Sequence, residues 1–290
     1  LLTSDSDAES WRELPYMLRT IDVSYDYSAT VWRNMREVNS DQRQYVLLSS
    51  PPYSAKTSLT ALPGARKEIE EIQQCWPRTL YADELADWKT KLPTAQIIHF
   101  AGHAILDNKA PSQSYLAFVD GATSDIEPLY MGDLHKYDIR ANPVVLSACN
   151  SGSGRLSKGE GFLSLAHGFV SAGARSICYT LWESSDVSSR ELMHTFHQYL
   201  KGGLSKDEAL RQAKIDYIQS AHELLTNPYY WSSFVIMGDM DPVSIQRPKG
   251  YLWGMVLLLV ALTVFKATRR WIRRSKRLRH SGQDDSSWSS

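Results

Sequence analysis

The sequence predicts an α/β sandwich built on a mainly parallel β-sheet. Short apolar runs rich in β-branched residues alternate with longer stretches whose apolar residues recur at helical spacing, which is typical of a parallel sheet covered by helices. Two of the apolar runs, 96–101 and 143–148, lead into reactive side chains followed by small or polar residues. A chain of 290 residues is long enough to bury the core of one large or two small domains.

The predicted elements are taken in order from the N-terminus. Residues 1–9 are polar and predict a linker, and residues 11–39 hold two helix-like stretches on either side of an alternating segment at 22–27. A strand is predicted at 45–48, and a helix opened by Pro63-Gly64 at 65–75. Further strands are predicted at 96–101, 115–119, 143–148, 175–180 and 233–237, and further helices at 161–172, 187–201 and 205–221.

The distribution of charge and cysteine excludes several classes of partner. The net charge is zero, but residues 249–290 carry +7, so residues 1–248 carry −7. The basic excess therefore belongs to a tail, and we expect no nucleic-acid partner. Cys75, Cys149 and Cys178 form an odd set without metal-ligand spacing. We expect no disulfide framework, no metal site and, without a phosphate-binding glycine loop, no cofactor.

The C-terminal region contains an uncharged apolar run at 251–265. As a helix it would be about 22 Å long, short of the roughly 30 Å of a hydrocarbon core, but flanking aromatic and basic residues favour a membrane anchor over a buried core helix. We predict a linker at 241–250, a transmembrane helix at 251–268 and a basic tail at 269–290. The positive-inside rule would place the tail in the cytoplasm, whereas a late-inserted tail anchor would leave the large domain there.

The two reactive residues that follow the central strands are His103 and Cys149. If the strands are neighbours, an imidazole meets a thiol at the edge of the sheet and can take its proton, and the resulting thiolate is a competent nucleophile. A lone cysteine at a strand end more often packs in the core. His99 is the competing histidine, but it lies inside the apolar run, so we expect it to be a core histidine and assign the base to His103.

Several motifs surround these residues in a fixed order. They are HFAGHA at 99–104, LSACNSG at 146–152, GEGFLSLA at 159–166 and AGARS at 172–176, with supporting matches at 62–69, 181–186 and 229–239. In this order they closely resemble the CHAT family of caspase-like cysteine peptidases. The resemblance covers roughly residues 10–240, which we take as the peptidase domain.

The resemblance implies a caspase-like three-layer αβα sandwich and a catalytic dyad of His103 and Cys149. By similarity, the backbone amides of Ala104 and Cys149 would form the oxyanion hole, with alanine at a position where many relatives have glycine. The reaction would cleave protein or peptide substrates through a thioester acyl-enzyme. Relatives often carry TPR repeats, and because the chain opens without Met or a signal peptide, we expect an upstream TPR or other sensor region.

Three acidic residues follow predicted strands, where a peptidase would build its first specificity pocket. They are Asp120, Glu183 and Asp186. An acidic pocket would select Arg or Lys before the cut, although solvated loops explain these residues equally well.

The leading hypothesis is a membrane-anchored cysteine endopeptidase regulated by an upstream sensor. The alternative is a catalytically silent CHAT-type interaction scaffold at the membrane. A thiol redox protein is less favoured, because Cys149 has no resolving cysteine close in sequence.

Overall fold

The described residues before position 245 form a unit built on an eight-stranded β-sheet. The computed structural model describes residues 10–37, 43–57, 59–107, 109–150, 160–183, 185–243 and 259–269, without the side chains of residues 149, 150 and 160–164. The chain divides into two units, Leu1–Ser244 and Ile245–Ser290. In the second unit the structure describes a helix over 259–269.

The sheet is parallel through its centre. Its strands are β1 (Tyr45–Ser49), β2 (Thr79–Tyr81), β3 (Ala95–Ile105), β4 (Tyr115–Val119), β5 (Ile126–Tyr130), β6 (Val144–Asn150), β7 (Ser176–Thr180) and β8 (Phe234–Gly238). The order is β2-β1-β3-β6-β7-β8, and every neighbouring pair is parallel except β7 with β8. A β4–β5 hairpin continues from the end of β3 in antiparallel pairing. The predicted α/β fold with a mainly parallel sheet is confirmed.

Helices cover both faces of the sheet. They are α1 (Ala29–Glu37), α2 (Pro63–Cys75), α3 (Leu85–Lys91), α4 (Glu160–Ser171), α5 (Asp186–Gly202), α6 (Lys206–Ser220) and α7 (Pro228–Trp231). Helices α2, α5 and α6 pack together in one layer, whereas α3 and α4 bury their apolar residues against the opposite face. Short 3-10 turns connect several of these elements.

The alternation of β3 separates an apolar face from a polar one. Ile98 and Phe100 join the apolar core formed with α3 and α4. His99 contacts side chains of α2 and α5, and His103 lies four residues further along the same strand. Since side chains alternate between the two faces of a strand, both histidines lie on the face covered by α2 and α5. The candidate site is therefore built on this face.

The N-terminal segment and the shortest elements differ from the sequence prediction. The alternating segment at 22–27 forms no strand and contributes a single bridge, from Tyr25 to Met237. Strand β2 has three residues, which is too short to give a periodic signal, and β5 contains Pro128 and is mostly half-buried. These elements form because β1 and β4 offer them unpaired edges.

The predicted transmembrane helix over 251–268 is wrong, and so is the single-pass membrane localisation derived from it. Among the residues that the structure describes, no helix has the length and apolar character needed to cross a bilayer. The helix over 259–269 is about 16 Å long at 1.5 Å per residue, roughly half the thickness of a hydrocarbon core. The first part of the predicted span, residues 251–258, and the tail beyond residue 269 lie outside the described residues.

Candidate active site

Strands β3 and β6 place the two predicted reactive residues side by side. The strands are parallel neighbours at the centre of the sheet, and His103 is the Cα partner of Cys149 near their carboxyl ends. Adjacent strands of a sheet lie about 4.8 Å apart. The backbones of His103 and Cys149 are therefore direct neighbours across the two strands. The side chain of Cys149 lies outside the described part of the structure.

The imidazole of His103 is oriented by a backbone carbonyl. Its Nε2 lies 2.7 Å from the carbonyl oxygen of Thr60, and its side chain is buried. A carbonyl oxygen only accepts hydrogen bonds, so Nε2 must carry the hydrogen and donate it. In the neutral ring the lone pair is then at Nδ1. The Thr60 carbonyl therefore selects the tautomer in which Nδ1 is the basic atom.

Tyr53 holds the backbone and the ring of His103 from one side. Its hydroxyl accepts a hydrogen bond from the His103 amide at 3.0 Å and donates one to the carbonyl of Ala117 at 2.6 Å. The two rings meet edge to face, with centroids 4.4 Å apart. Gly102 makes room for this contact, because a Cβ there would lie 2.5 Å from the Tyr53 hydroxyl oxygen. Phe100, on the same strand, would also be crowded.

Opposing effects set the basicity of His103. Burial lowers its pKa from the ordinary value of 6.5 because the low-dielectric surroundings disfavour the imidazolium. The hydrogen bond to the Thr60 carbonyl and the negative charges of Asp186 and Glu183 act in the opposite direction and raise the pKa. Burial is the largest of these effects, so the neutral ring is favoured. A neutral histidine is the form that can accept a thiol proton.

The structure brings two of the three predicted pocket residues close enough to act on His103. Asp186 is the first residue of α5, and its carboxylate accepts a hydrogen bond from the Gly64 amide at 2.7 Å. A Cβ at Gly64 would collide with that carboxylate. Glu183 is exposed in the loop after β7. Both side chains raise the pKa of His103 through their charge.

Asp120 is placed differently. It follows β4, and its carboxylate accepts hydrogen bonds at 2.8 Å from the amides of Ala122 and Thr123. These contacts form a side-chain-capped turn between β4 and β5. Its place in a substrate pocket stays a prediction.

Ala104, the predicted oxyanion donor, lies inside the sheet. It is fully buried in β3, where its Cα partners are Asn150 of β6 and Leu116 of β4. Strand β3 thus continues past His103, whereas the predicted strand ends at residue 101. The hairpin partner extends the strand by supplying β4 as a second neighbour. An oxyanion role for the amides of Ala104 and Cys149 stays a prediction.

A chain of buried polar side chains lies on the same face of the sheet as His103. The Trp76 indole donates to Nδ1 of His197 at 2.9 Å, and Nε2 of His197 lies 3.0 Å from Nδ1 of His99. Nε2 of His99 lies 2.7 Å from one oxygen of Glu68, and the Ser147 hydroxyl lies 3.1 Å from the other. All five side chains are buried. His99 is therefore a core histidine, as its place inside an apolar run predicted.

Burial disfavours charge throughout this chain of side chains. Desolvation raises the pKa of Glu68 to about 8 and lowers the pKa of His99 to about 3. The pKa of His197 is lowered well below its ordinary 6.5, first by burial and then by the charge that a protonated His99 or His194 would carry. His99 and His197 are consequently neutral at physiological pH.

Sequence reasoning missed four residues of this region. For Glu68 a signal existed, because it recurs with Ala65 and Ile72 at three- and four-residue spacing on the buried side of α2. His197 likewise follows Phe196 on the buried side of α5. Thr60 and Tyr53 gave no sequence signal, since a backbone carbonyl and a loop tyrosine acquire their roles only through tertiary contacts. Among the described residues, no group of three or more His, Cys, Asp or Glu side chains is arranged to hold a metal.

Comparisons with known proteins agree with the motif order. The family model described as the CHAT domain matches residues 4–239. Human (Homo sapiens) Tetratricopeptide repeat protein 28 is 22% identical over 260 residues, an alignment covering 71% of this chain and 10% of the human protein. The chain therefore spans about a tenth of the length of that curated relative.

Solved structures with low sequence identity are also similar. The complex of the pro- and mature domains of RgpB from Porphyromonas gingivalis has a TM-score of 0.44 and 9% identity, covering 73% of this chain and 52% of that one. The separase–securin complex of Saccharomyces cerevisiae has a TM-score of 0.48 and 13% identity, covering 79% and 14%. The family model matches far more than half of the 290 residues, and on that ground the chain belongs to the CHAT domain family.

Proposed function

We propose that this CHAT domain is a cysteine endopeptidase whose dyad is His103 and Cys149. The observation that carries the proposal is the backbone pairing of these two residues on neighbouring parallel strands. The Thr60 carbonyl supports it, because it leaves Nδ1 as the basic atom of a neutral His103. Thiol and imidazole together are the minimum equipment for nucleophilic catalysis.

The proposed reaction proceeds through an acyl-enzyme. His103 Nδ1 accepts the proton of the Cys149 thiol, and the thiolate attacks the scissile carbonyl carbon. The tetrahedral intermediate collapses to a thioester as the C–N bond breaks, and the imidazolium gives its proton to the leaving amine. Water then hydrolyses the thioester, which releases the carboxylic acid and regenerates the thiol. Backbone amides of Ala104 and Cys149 would stabilise the oxyanion.

Substrate preference follows from the charges beside His103. Asp186 and Glu183 both act electrostatically on the imidazole, so the edge of the site carries negative potential. Such a site favours a peptide with Arg or Lys before the cut. Replacing Asp186 with Ala should reduce cleavage after basic residues, and an unaltered cleavage profile would remove Asp186 from the pocket.

The catalytic domain would be one part of a larger regulated protein. The human relative is a tetratricopeptide repeat protein of which the aligned region is a tenth, which supports a repeat region elsewhere in a longer protein. We expect that region to lie upstream and to sense a signal. The predicted linker at 1–9, peptidase domain at 10–240 and linker at 241–250 belong to the same proposal.

The decisive experiment labels the full chain with a peptide probe bearing a thiol-reactive group. Cys149→Ala should abolish labelling, and His103→Ala should slow it by about 10²–10⁴-fold, the usual contribution of general base catalysis. Cys178→Ala is the matched control, because Cys178 is fully buried and burial raises the pKa of its thiol to about 12. Equal labelling of the wild type and His103→Ala would reject the dyad and favour the interaction scaffold.

A further inference from the structure

The carboxyl group of Glu68 joins three elements close to the proposed dyad. Glu68 extends from α2, and one of its oxygens is hydrogen-bonded to His99 of β3. The other oxygen is hydrogen-bonded to Ser147 of β6. Its side chain is 1% exposed, so these contacts form in a dry interior. An unsatisfied buried carboxyl group would be costly, and here both oxygens have a partner. The sequence motifs did not assign any role to this residue.

The indole of Trp76 fixes the direction of the hydrogen bonds that link the buried side chains from Trp76 to Glu68. The Trp76 indole nitrogen only donates, so Nδ1 of His197 accepts. A neutral His197 therefore carries its hydrogen on Nε2 and donates it to Nδ1 of His99. His99 in turn carries its hydrogen on Nε2 and donates it to Glu68. Each histidine is held in one tautomer and one orientation, so the chain is rigid.

The network lies directly behind the two proposed catalytic residues. His99 precedes His103 by four residues on β3, and Ser147 precedes Cys149 by two residues on β6. Glu68 therefore links β3, which carries the proposed base, to β6, which carries the proposed nucleophile. The link lies two to four residues before the reactive residues on each strand. Glu68 is also connected to the Thr60 carbonyl that orients His103, because α2, which carries Glu68, begins three residues after Thr60.

The segment that carries Thr60 is itself held at both ends. Leu59 and Leu62 pack on the apolar cluster of Tyr53, Ala117 and Val119. Gly64, at the start of α2, donates its amide to Asp186. Movement of α2 would therefore shift both the carbonyl that orients His103 and the carboxylate that links the strands.

We propose that Glu68 is a positioning residue of the peptidase, which sets the distance between His103 and Cys149 by joining α2, β3 and β6. The proposal rests on the proposed function, since it needs that pair to react. Glu68 lies too deep to touch substrate, so it would act through the strands. A misplacement of reacting groups by about 1 Å can lower a rate by about 10²-fold.

Three variants separate positioning from stability. Glu68→Ala leaves the hydrogen of His99 and the Ser147 hydroxyl without their acceptor. Glu68→Gln keeps both contacts, because an amide oxygen accepts from His99 while its nitrogen donates to Ser147. Ile72→Ala is the matched control on α2, since Ile72 is fully buried and its truncation creates a cavity without cutting a polar link.

The measurement is the rate of Cys149 alkylation by iodoacetamide in the full chain, followed by peptide mass analysis across a pH series. Wild type should react with a pH midpoint below that of a free thiol, about 8.5, and His103→Ala should move it upward. Glu68→Ala should slow alkylation at pH 7 by about 10–10²-fold and move the midpoint toward that of His103→Ala. Glu68→Gln should stay within about threefold of wild type, and Ile72→Ala should keep the wild-type midpoint.

The outcomes distinguish the two levels of the proposal. A midpoint shift in Glu68→Ala that Ile72→Ala lacks supports positioning. If His103→Ala shifts the midpoint while Glu68→Ala behaves like Ile72→Ala, the dyad stands and the role of Glu68 is rejected. If His103→Ala leaves the midpoint unchanged, the proposed function fails and the inference falls with it. Should Glu68→Ala not fold, Ser147→Ala decides, and a wild-type midpoint there rejects the proposal.

Discussion

His99 and His103 lie four residues apart on one strand and one face of the sheet, and both are buried, but the groups around them differ. His99 uses Nδ1 to accept from His197 and Nε2 to donate to Glu68, deep under α2 and α5. His103 donates from Nε2 to the Thr60 carbonyl, and although burial lowers its pKa, that hydrogen bond and the charges of Asp186 and Glu183 act to raise it. The groups around each imidazole, rather than the residue type, separate a structural histidine from a candidate base.

The largest expected difference between the two histidines is in stability. His99→Ala removes the acceptor of the His197 Nε2 hydrogen and the donor to one oxygen of Glu68, and it leaves a cavity in the interior, so it should lower the free energy of unfolding by about 2–5 kcal/mol. His103→Ala should cost less, about 1 kcal/mol for the lost hydrogen bond to the Thr60 carbonyl, because this side chain lies near the carboxyl end of β3 and not within the buried network. Urea unfolding of both variants tests this, and equal losses would break the distinction.

The second prediction concerns the pH dependence of stability. The pKa of His99 is about 3 in the folded protein and near 6.5 when unfolded, so between these values the unfolded state binds the extra proton. Stability is therefore lost as the pH falls from about 6.5 toward 3, with a slope of up to about 1.4 kcal/mol per pH unit from this group. Glu68, whose pKa is raised to about 8, acts in the other direction: its contribution is lost as pH rises from about 4.5 toward 8.

Comparing His99→Gln with wild type isolates the histidine, because Glu68 is present in both proteins. The variant should lose stability less steeply on acidification, as measured by urea unfolding at several pH values between about 4 and 6. Ile72→Ala should shift the whole curve without changing its slope, since it removes no titratable group. Parallel curves for His99→Gln and wild type would show that the buried imidazole does not titrate differently on unfolding.

A smaller effect on stability is expected from removing the Tyr53 hydroxyl, which is hydrogen-bonded to the backbone amide of His103. Tyr53→Phe removes the hydroxyl that accepts from the His103 amide and donates to the Ala117 carbonyl, so stability should fall by about 1–2 kcal/mol. Probe labelling of Cys149 should slow by less than about tenfold, because the ring contact remains. Tyr115→Phe is the control, since Tyr115 packs on the same apolar cluster. Wild-type stability in Tyr53→Phe would show that the hydroxyl contacts contribute nothing.

The smallest effect sharpens the electrostatic side of the comparison. Asp186→Asn keeps an oxygen for the Gly64 amide but removes the charge that raises the pKa of His103, so that pKa should fall. An NMR titration of the imidazole measures it. Asp120→Asn should leave the titration unchanged, because Asp120 caps its own turn and is absent from the charges that act on His103. An unchanged midpoint in Asp186→Asn would remove Asp186 from the electrostatics of the site.

Elements that are specified by short stretches of sequence could be predicted, whereas contacts between distant residues could not. The strands ending near His103 and Cys149 were predictable because β-branched apolar runs specify buried strands locally. Helix α2 was predictable from its apolar spacing and its opening proline. The predicted membrane span was wrong, because no helix among the residues that the structure describes is long and apolar enough to cross a bilayer.

The sequence by itself determined the α/β class, the two central strands and the ordered motifs that identify the CHAT family, since each is encoded in residue types within short windows. Only the tertiary structure decided that His103 and Cys149 are Cα partners, that the Thr60 carbonyl fixes the tautomer of His103, and that Glu68 bridges the two strands. These contacts join residues 31 to 79 positions apart in sequence. Their formation depends on how helices pack across a sheet, which local periodicity does not encode.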